Sequence, residues 1–305
     1  MGRPGLRPRE RSNHRRLPLH ADGSVAKRGG KRAVTQPENL PFFRQHGLYT
    51  DPHGRRGLIS GLGQDPAQLC SLVQGLLIHD HFGAEIYEAP PKNIATASRD
   101  TLPVSDRLAQ LVARNDGAGL PALPTDKRLV GTCRDFALML CAFFRENGVP
   151  ARLRCGFANY LGGDQYEDHW LVEYWMESEG RWAKADAQLD NVHRAHLNVD
   201  FDIADVPEYR FIVGRRAWEL ARTDAMNPDW FGHGQDRGLW FIRVNLARDL
   251  MALCKHEVSP WDDWRKMSES ERMLDETTLA EAAWMDDKIR TIETGVLEAR
   301  AGLSP

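Results

Sequence analysis

Residues 131–190 constrain the fold more than any other stretch of the chain. Gly131-Thr132-Cys133 leads into Arg134–Asn147, where Phe136, Leu140, Phe143 and Phe144 recur at helical spacing and mark an apolar face. Asn147-Gly148-Val149-Pro150 stops that helix, the glycine supplying a left-handed cap and the proline barring continuation. Three β-prone runs follow, Ala151–Ala158, His169–Trp175 and Arg181–Ala185, the last two joined by a turn at Glu177–Gly180. A helix followed by three strands on short connections predicts an α+β unit, an antiparallel meander packed on a helix.

The flanks are mostly helical. Asp65-Pro66 has the form of an N-cap with proline at the first helical position, and Leu69, Leu72, Val73, Leu76 and Leu77 continue it as a stripe ending at Gly83. Ser105 opens a short helix through Leu108, Leu111 and Val112. Beyond residue 205 the pattern predicts helices at Arg215–Arg222, Leu239–Cys254 and Thr278–Arg300. The tryptophans of this region, Trp218, Trp230, Trp240, Trp261, Trp264 and Trp284, read as packing against the core. Asn227–Gly238 reads as a roof over a cleft, with Asn245 and Arg248 as polar positions able to reach a substrate. The expected organisation is a disordered basic tail at 1–38, a catalytic core at 39–215, and a helical C-terminal extension at 216–305 packed on that core.

Charge separates the tail from the rest. Residues 1–34 hold ten Arg/Lys against Glu10 and Asp22, a net +8, which leaves −11 for residues 35–305 given the whole-chain −3. With five glycines and few core-forming residues, the tail is expected to stay disordered. It is either a solvated segment or a stretch translated upstream of the true start, although no methionine falls between Met1 and Met139. Any nucleic-acid contact is expected there alone. The tail has no apolar stretch of secretory type, and no apolar run in the chain is long enough to span a bilayer. Five scattered cysteines, an odd number, do not form a disulfide framework. The expectation is a cytoplasmic protein with no membrane partner.

Cys133 stands on the first turn of its predicted helix, where unpaired N–H groups and the helix dipole favour a thiolate. Cys70, Cys141, Cys155 and Cys254 lie inside apolar segments and read as core. His169 opens the second strand and Asp186 follows the third. Direct pairing across the turn would bring the two together, and an aspartate beside a histidine orients the ring. Arg134 and Asp135 read as a salt bridge or cap at the helix start. His79-Asp80-His81 reads as a helix-end pair rather than a ligand set, because i and i+2 do not share a helix face. Asp200, Asp202 and Asp205 read as a solvated acidic loop, lacking the calcium-loop pattern.

The segments GTCRDFALML around Cys133, GVPARLRCGFANY at 148–160, DHWLVEYW at 168–175 and GRWAKADAQLD at 180–190 together resemble the transglutaminase-like superfamily. The resemblance covers about residues 65–215. It implies a papain-like α+β fold and a Cys–His–Asp triad on Cys133, His169 and Asp186; from the residues themselves, no cofactor or metal is expected. The implied chemistry is attack of the cysteine on an amide or thioester carbonyl, giving an acyl-enzyme resolved by water or an amine. Trp170 reads either as a wall of the acyl site beside His169 or as core, and Tyr160 and Gln165, in the loop before His169, read as contacts for a peptide, amide or acyl-thioester substrate. The alternatives are a binding or scaffold module that keeps the fold without turnover, and a biosynthetic acyltransferase acting on carrier-bound thioesters.

Overall fold

A computed structural model describes residues 37–115, 119–163, 165–259, 272 and 274–295. Residues 1–36 of the expected basic tail, and Trp261 and Trp264, lie outside the described residues. The elements in chain order are α1 (Leu40–Arg44), α2 (Pro66–Leu76), β1 (Leu77–His79), α3 (Asp80–Ile86), α4 (Val104–Arg114), β2 (Leu129–Gly131), α5 (Cys133–Glu146), β3 (Ala151–Ala158), β4 (Tyr166–Met176) and β5 (Arg181–Ala185). There follow α6 (Asn191–Leu197), β6 (Phe211–Val213), α7 (Gly214–Arg222), β7 (Phe231–His233), β8 (Asp236–Arg237), α8 (Leu239–Leu253) and α9 (Glu276–Glu293). Among the described residues no helix is long and apolar enough to cross a membrane.

The fold is α+β. Its main sheet runs β6-β3-β4-β7-β8, with β5 also on β4. Strands β3, β4 and β5 form the expected antiparallel meander. Helix α5 covers one face: Phe136, Leu140, Phe143 and Phe144 are buried in a core with Leu153, Trp170, Val172 and Tyr174. A second core, on Phe157 and Ile212, is filled by Trp218 of α7, Phe241, Ile242 and Leu246 of α8, and Ile289 of α9. Residues beyond 215 therefore do more than pack as helices, because β7 joins β4 in parallel, with Tyr166 beside Phe231.

Two departures from the sequence reading have local causes. The stripe from Pro66 to Gly83 is broken, because Leu77–His79 leave the helix to pair in parallel with Leu129–Gly131. An apolar run cannot by itself distinguish a buried strand from a helix, and here the partner strand decides. The short strands β6 and β7 carry no alternating pattern, yet Gly156 admits β6. A Cβ there would sit 2.3 Å from the Ile212 carbonyl oxygen.

The edge of β4 opposite β3 positions the site. Strand β5 covers residues 172–176 of that edge and β7 covers 166–167. Residues 168–171 are left between them without a strand neighbour on that side among the described residues. The Cys155 N–H donates to Asp249 Oδ1 at 3.0 Å rather than to β4, so Cys155 and Trp170 face each other as a non-hydrogen-bonded pair. The Trp170 N–H consequently points away from β3 and into the gap.

Candidate active site

Cys133 is the first residue of α5, and a capping box fixes its approach. The Asp135 carboxylate accepts from the Thr132 N–H at 2.8 Å, and the Thr132 hydroxyl lies 3.3 Å from the same oxygen. Arg107 and Arg134 pair with Asp135 at 2.8 and 3.2 Å, and Arg134 also donates to the Glu257 carbonyl at 2.7 Å. These buried charges hold the helix start. They also explain Gly131, where a Cβ would press on Asp135 at 3.0 Å.

Burial, followed by the charge of Asp168, pushes the Cys133 thiol well above the ordinary range. The Trp170 and Arg134 backbone N–H groups act in the opposite direction and do not prevail. The helix-end argument anticipates a thiolate. The structure gives a thiol that keeps its proton, because partial burial beside Asp168 and Asp186 outweighs the helix end.

His169 Nε2 lies 2.8 Å from Asp186 Oδ2, both side chains buried. The two residues are not directly opposite. The register pairs Val172 with Ala185, so Asp186 continues towards Leu171 and its side chain reaches back two residues to His169. The Asp186 N–H donates to the Ile203 carbonyl at 2.8 Å, which pins the strand end. Burial works to raise the Asp186 carboxyl, but His169, the Tyr160 hydroxyl and the Gln188 N–H together hold it below its usual value. With the carboxylate on Nε2, the lone pair of neutral His169 falls on Nδ1, which is buried and has no hydrogen-bond partner among the described residues.

The three residues expected to touch substrate are placed differently. Tyr160 turns inward, its hydroxyl donating to Asp186 Oδ2 at 2.7 Å and its ring standing edge-on to His169. Trp170 lies in the α5 core, 2% exposed. Gln165 sits half-buried just ahead of β4. Asn245 and Arg248 of α8 do not face outwards. The Asn245 amide donates to Asp168 Oδ1 at 2.7 Å, and Arg248 lies 3.6 Å from Asp168 Oδ2. Asp168, the residue whose charge weighs most on the thiol, is thus held from the C-terminal third. Sequence proximity to His169 hints at Asp168, but nothing in the sequence indicates its partners.

Asp200, Asp202 and Asp205 do not converge. Asp200 pairs with Arg210, Asp205 with Arg181, and Asp202 accepts from the Ala204 N–H. His79 caps α3, and a second buried histidine, His193, lies 3.1 Å from Asp190, which also accepts from the Tyr87 hydroxyl.

A model of the transglutaminase-like superfamily matches residues 89–187, a span that includes Cys133, His169 and Asp186. Residues 89–187 of this chain are transglutaminase-like. No curated protein matches the chain. A solved structure from Cytophaga hutchinsonii, named "Putative Cysteine Protease", is similar to it at 15% identity and a TM-score of 0.37. The match covers 59% of this chain and 47% of that one, so the chain spans about half the length of that protein.

Proposed function

We propose that the protein transfers or hydrolyses the acyl group of an amide or thioester, with Cys133 as nucleophile, His169 as base and Asp186 as the residue that orients it. The observation that carries this reading is the buried His169–Asp186 pair, which leaves Nδ1 without a hydrogen-bond partner among the described residues, next in sequence to Trp170, whose N–H meets the Cys133 sulfur. The thiol carries its proton at rest. His169 Nδ1 removes that proton as sulfur attacks the carbonyl carbon, and imidazolium then protonates the leaving group. Asp186 stabilises the imidazolium and holds the ring. Water or an amine resolves the acyl-enzyme. The triad is common to hydrolysis and amine transfer, so the substrate class is set at the amide or thioester carbonyl. We place the reaction in residues 39–215, with 216–305 holding Asp168.

A second reading, a binding module without turnover, draws support from the protonated resting thiol. p-Nitrophenyl acetate separates the two. The enzyme reading expects a burst of p-nitrophenolate and an acetyl group on Cys133 by peptide mass spectrometry, both absent in Cys133→Ala and strongly slowed in His169→Ala. Acylation that is undiminished in Cys133→Ala would remove Cys133 from the mechanism.

A further inference from the structure

His79 ends β1, and the register pairs it with Gly131, two residues before Cys133. Neighbouring strands run about 4.8 Å apart, so the His79 backbone flanks the chain as it enters α5. The His79 ring stacks on Phe136, with 23° between planes and centroids 6.4 Å apart. Phe136 follows Cys133 by three positions and shares its helix face. Backbone register and ring contact therefore set this imidazole beside the start of α5 by separate routes.

The contacts of the ring favour the proton on Nε2. His79 Nδ1 accepts the His81 N–H at 3.2 Å as the cap of α3. Asp80 Oδ1 lies 3.2 Å from Nδ1, but it accepts the same His81 N–H at 2.7 Å. With Nδ1 as acceptor, a neutral ring has its N–H at Nε2. Among the described residues no group hydrogen-bonds to Nε2. Burial, then the nearby His193 and His169, hold the ring well below the usual histidine range, so it is neutral at physiological pH. A neutral N–H can donate to developing negative charge without surrendering its proton.

We propose that the Nε2–H of His79 is the side-chain oxyanion donor of this site, an assignment that rests on Cys133 being the acyl acceptor. As the S–C bond forms, the thiol proton passes to His169 Nδ1 and the carbonyl π pair moves onto oxygen. That oxygen accepts from His79 Nε2–H and from the backbone N–H at the start of α5. Collapse returns the pair to the C=O bond, and the leaving group departs with the His169 proton. His79 neither gains nor loses a proton.

Two reactions of the same sulfur test this. Acylation by p-nitrophenyl acetate passes through an oxyanion, whereas alkylation by iodoacetamide does not. His79→Phe keeps a ring on Phe136 and removes the donor; His79→Gln keeps an N–H donor. The expected result is a 10²–10³-fold loss of Cys133 acylation in His79→Phe, partial recovery in His79→Gln, and alkylation within about threefold of wild type in both. Acylation of His79→Phe within threefold of wild type would overturn the donor assignment alone. So would equal losses in both reactions, which would mark His79 as structural. Absence of Cys133 acylation in the wild type would instead overturn the reading of Cys133 as nucleophile, and the donor with it.

Discussion

Deleting the Tyr160 hydroxyl tests whether Asp186 is held as a charged acceptor. The bond is 2.7 Å long between residues 5% and 1% exposed. Tyr160 stays neutral and able to donate, since burial and then Asp186 push its phenol well above the ordinary range. A hydrogen bond to a charged group contributes about 1.5–3 kcal/mol and one between neutral groups about 1 kcal/mol. Tyr160→Phe should therefore cost about 2 kcal/mol of stability at pH 7. In an Asp186→Asn background the acceptor is neutral and the same deletion should cost about 1 kcal/mol. Urea denaturation of the four proteins should then show a coupling of about 1 kcal/mol. The pH dependence follows from the depressed Asp186 carboxyl. Its ionised form stabilises the fold above the unfolded value of 3.8, and that contribution disappears as pH falls through the lower folded value. The gap between wild type and Tyr160→Phe should be full at pH 7 and should narrow below pH 3.8. Equal costs in both backgrounds, or a gap unchanged well below pH 3.8, would refute the reasoning.

Two further outcomes can be checked directly. The raised Cys133 thiol predicts an iodoacetamide rate that is low at pH 6–7 and still climbs through pH 9; a plateau reached below pH 7 would mean a preformed thiolate–imidazolium pair instead. Asp249 holds Arg154 Nε and Nη2 at 2.9 and 2.8 Å as well as the Cys155 N–H, all buried, so Asp249→Ala should cost about 3 kcal/mol. Glu173 and Glu293 remain on Arg154 and keep the loss at that level. A loss under 1 kcal/mol by urea denaturation would show that α8 is not fixed to β3 through this ion pair.

Much of the architecture is local in origin and could be read from the chain. The α5 stripe, its Asn147-Gly148 stop and the three strands of the meander each rest on periodicity and turn chemistry within a few residues. Strands β3 and β5 run over the residues that the sequence reading gives them. Cys133, His169 and Asp186 were legible as residue types at the ends of these elements. Their proton states were not. A helix start favours thiolate, but the thiol's burial depends on what packs over it, and Asp168 is held there by Asn245 and Arg248 from 77 and 80 positions away.

Tyr160 shows the same division. In the loop before His169 it reads as a substrate contact, yet folding turns it onto Asp186, because a buried carboxylate must be satisfied by donors wherever the chain supplies them. His79 reads as one of a pair at a helix end, and that is where it sits. Only the parallel pairing of β1 with β2 carries it to the entrance of α5. The sequence by itself determined α5 and the three strands of the meander, because those preferences arise from side-chain spacing and caps along the chain, whereas β1, β6 and β7 needed their partner strands. Tertiary structure alone decided which charges and donors surround Cys133, because electrostatic and hydrogen-bond partners act through space between segments that no periodicity connects.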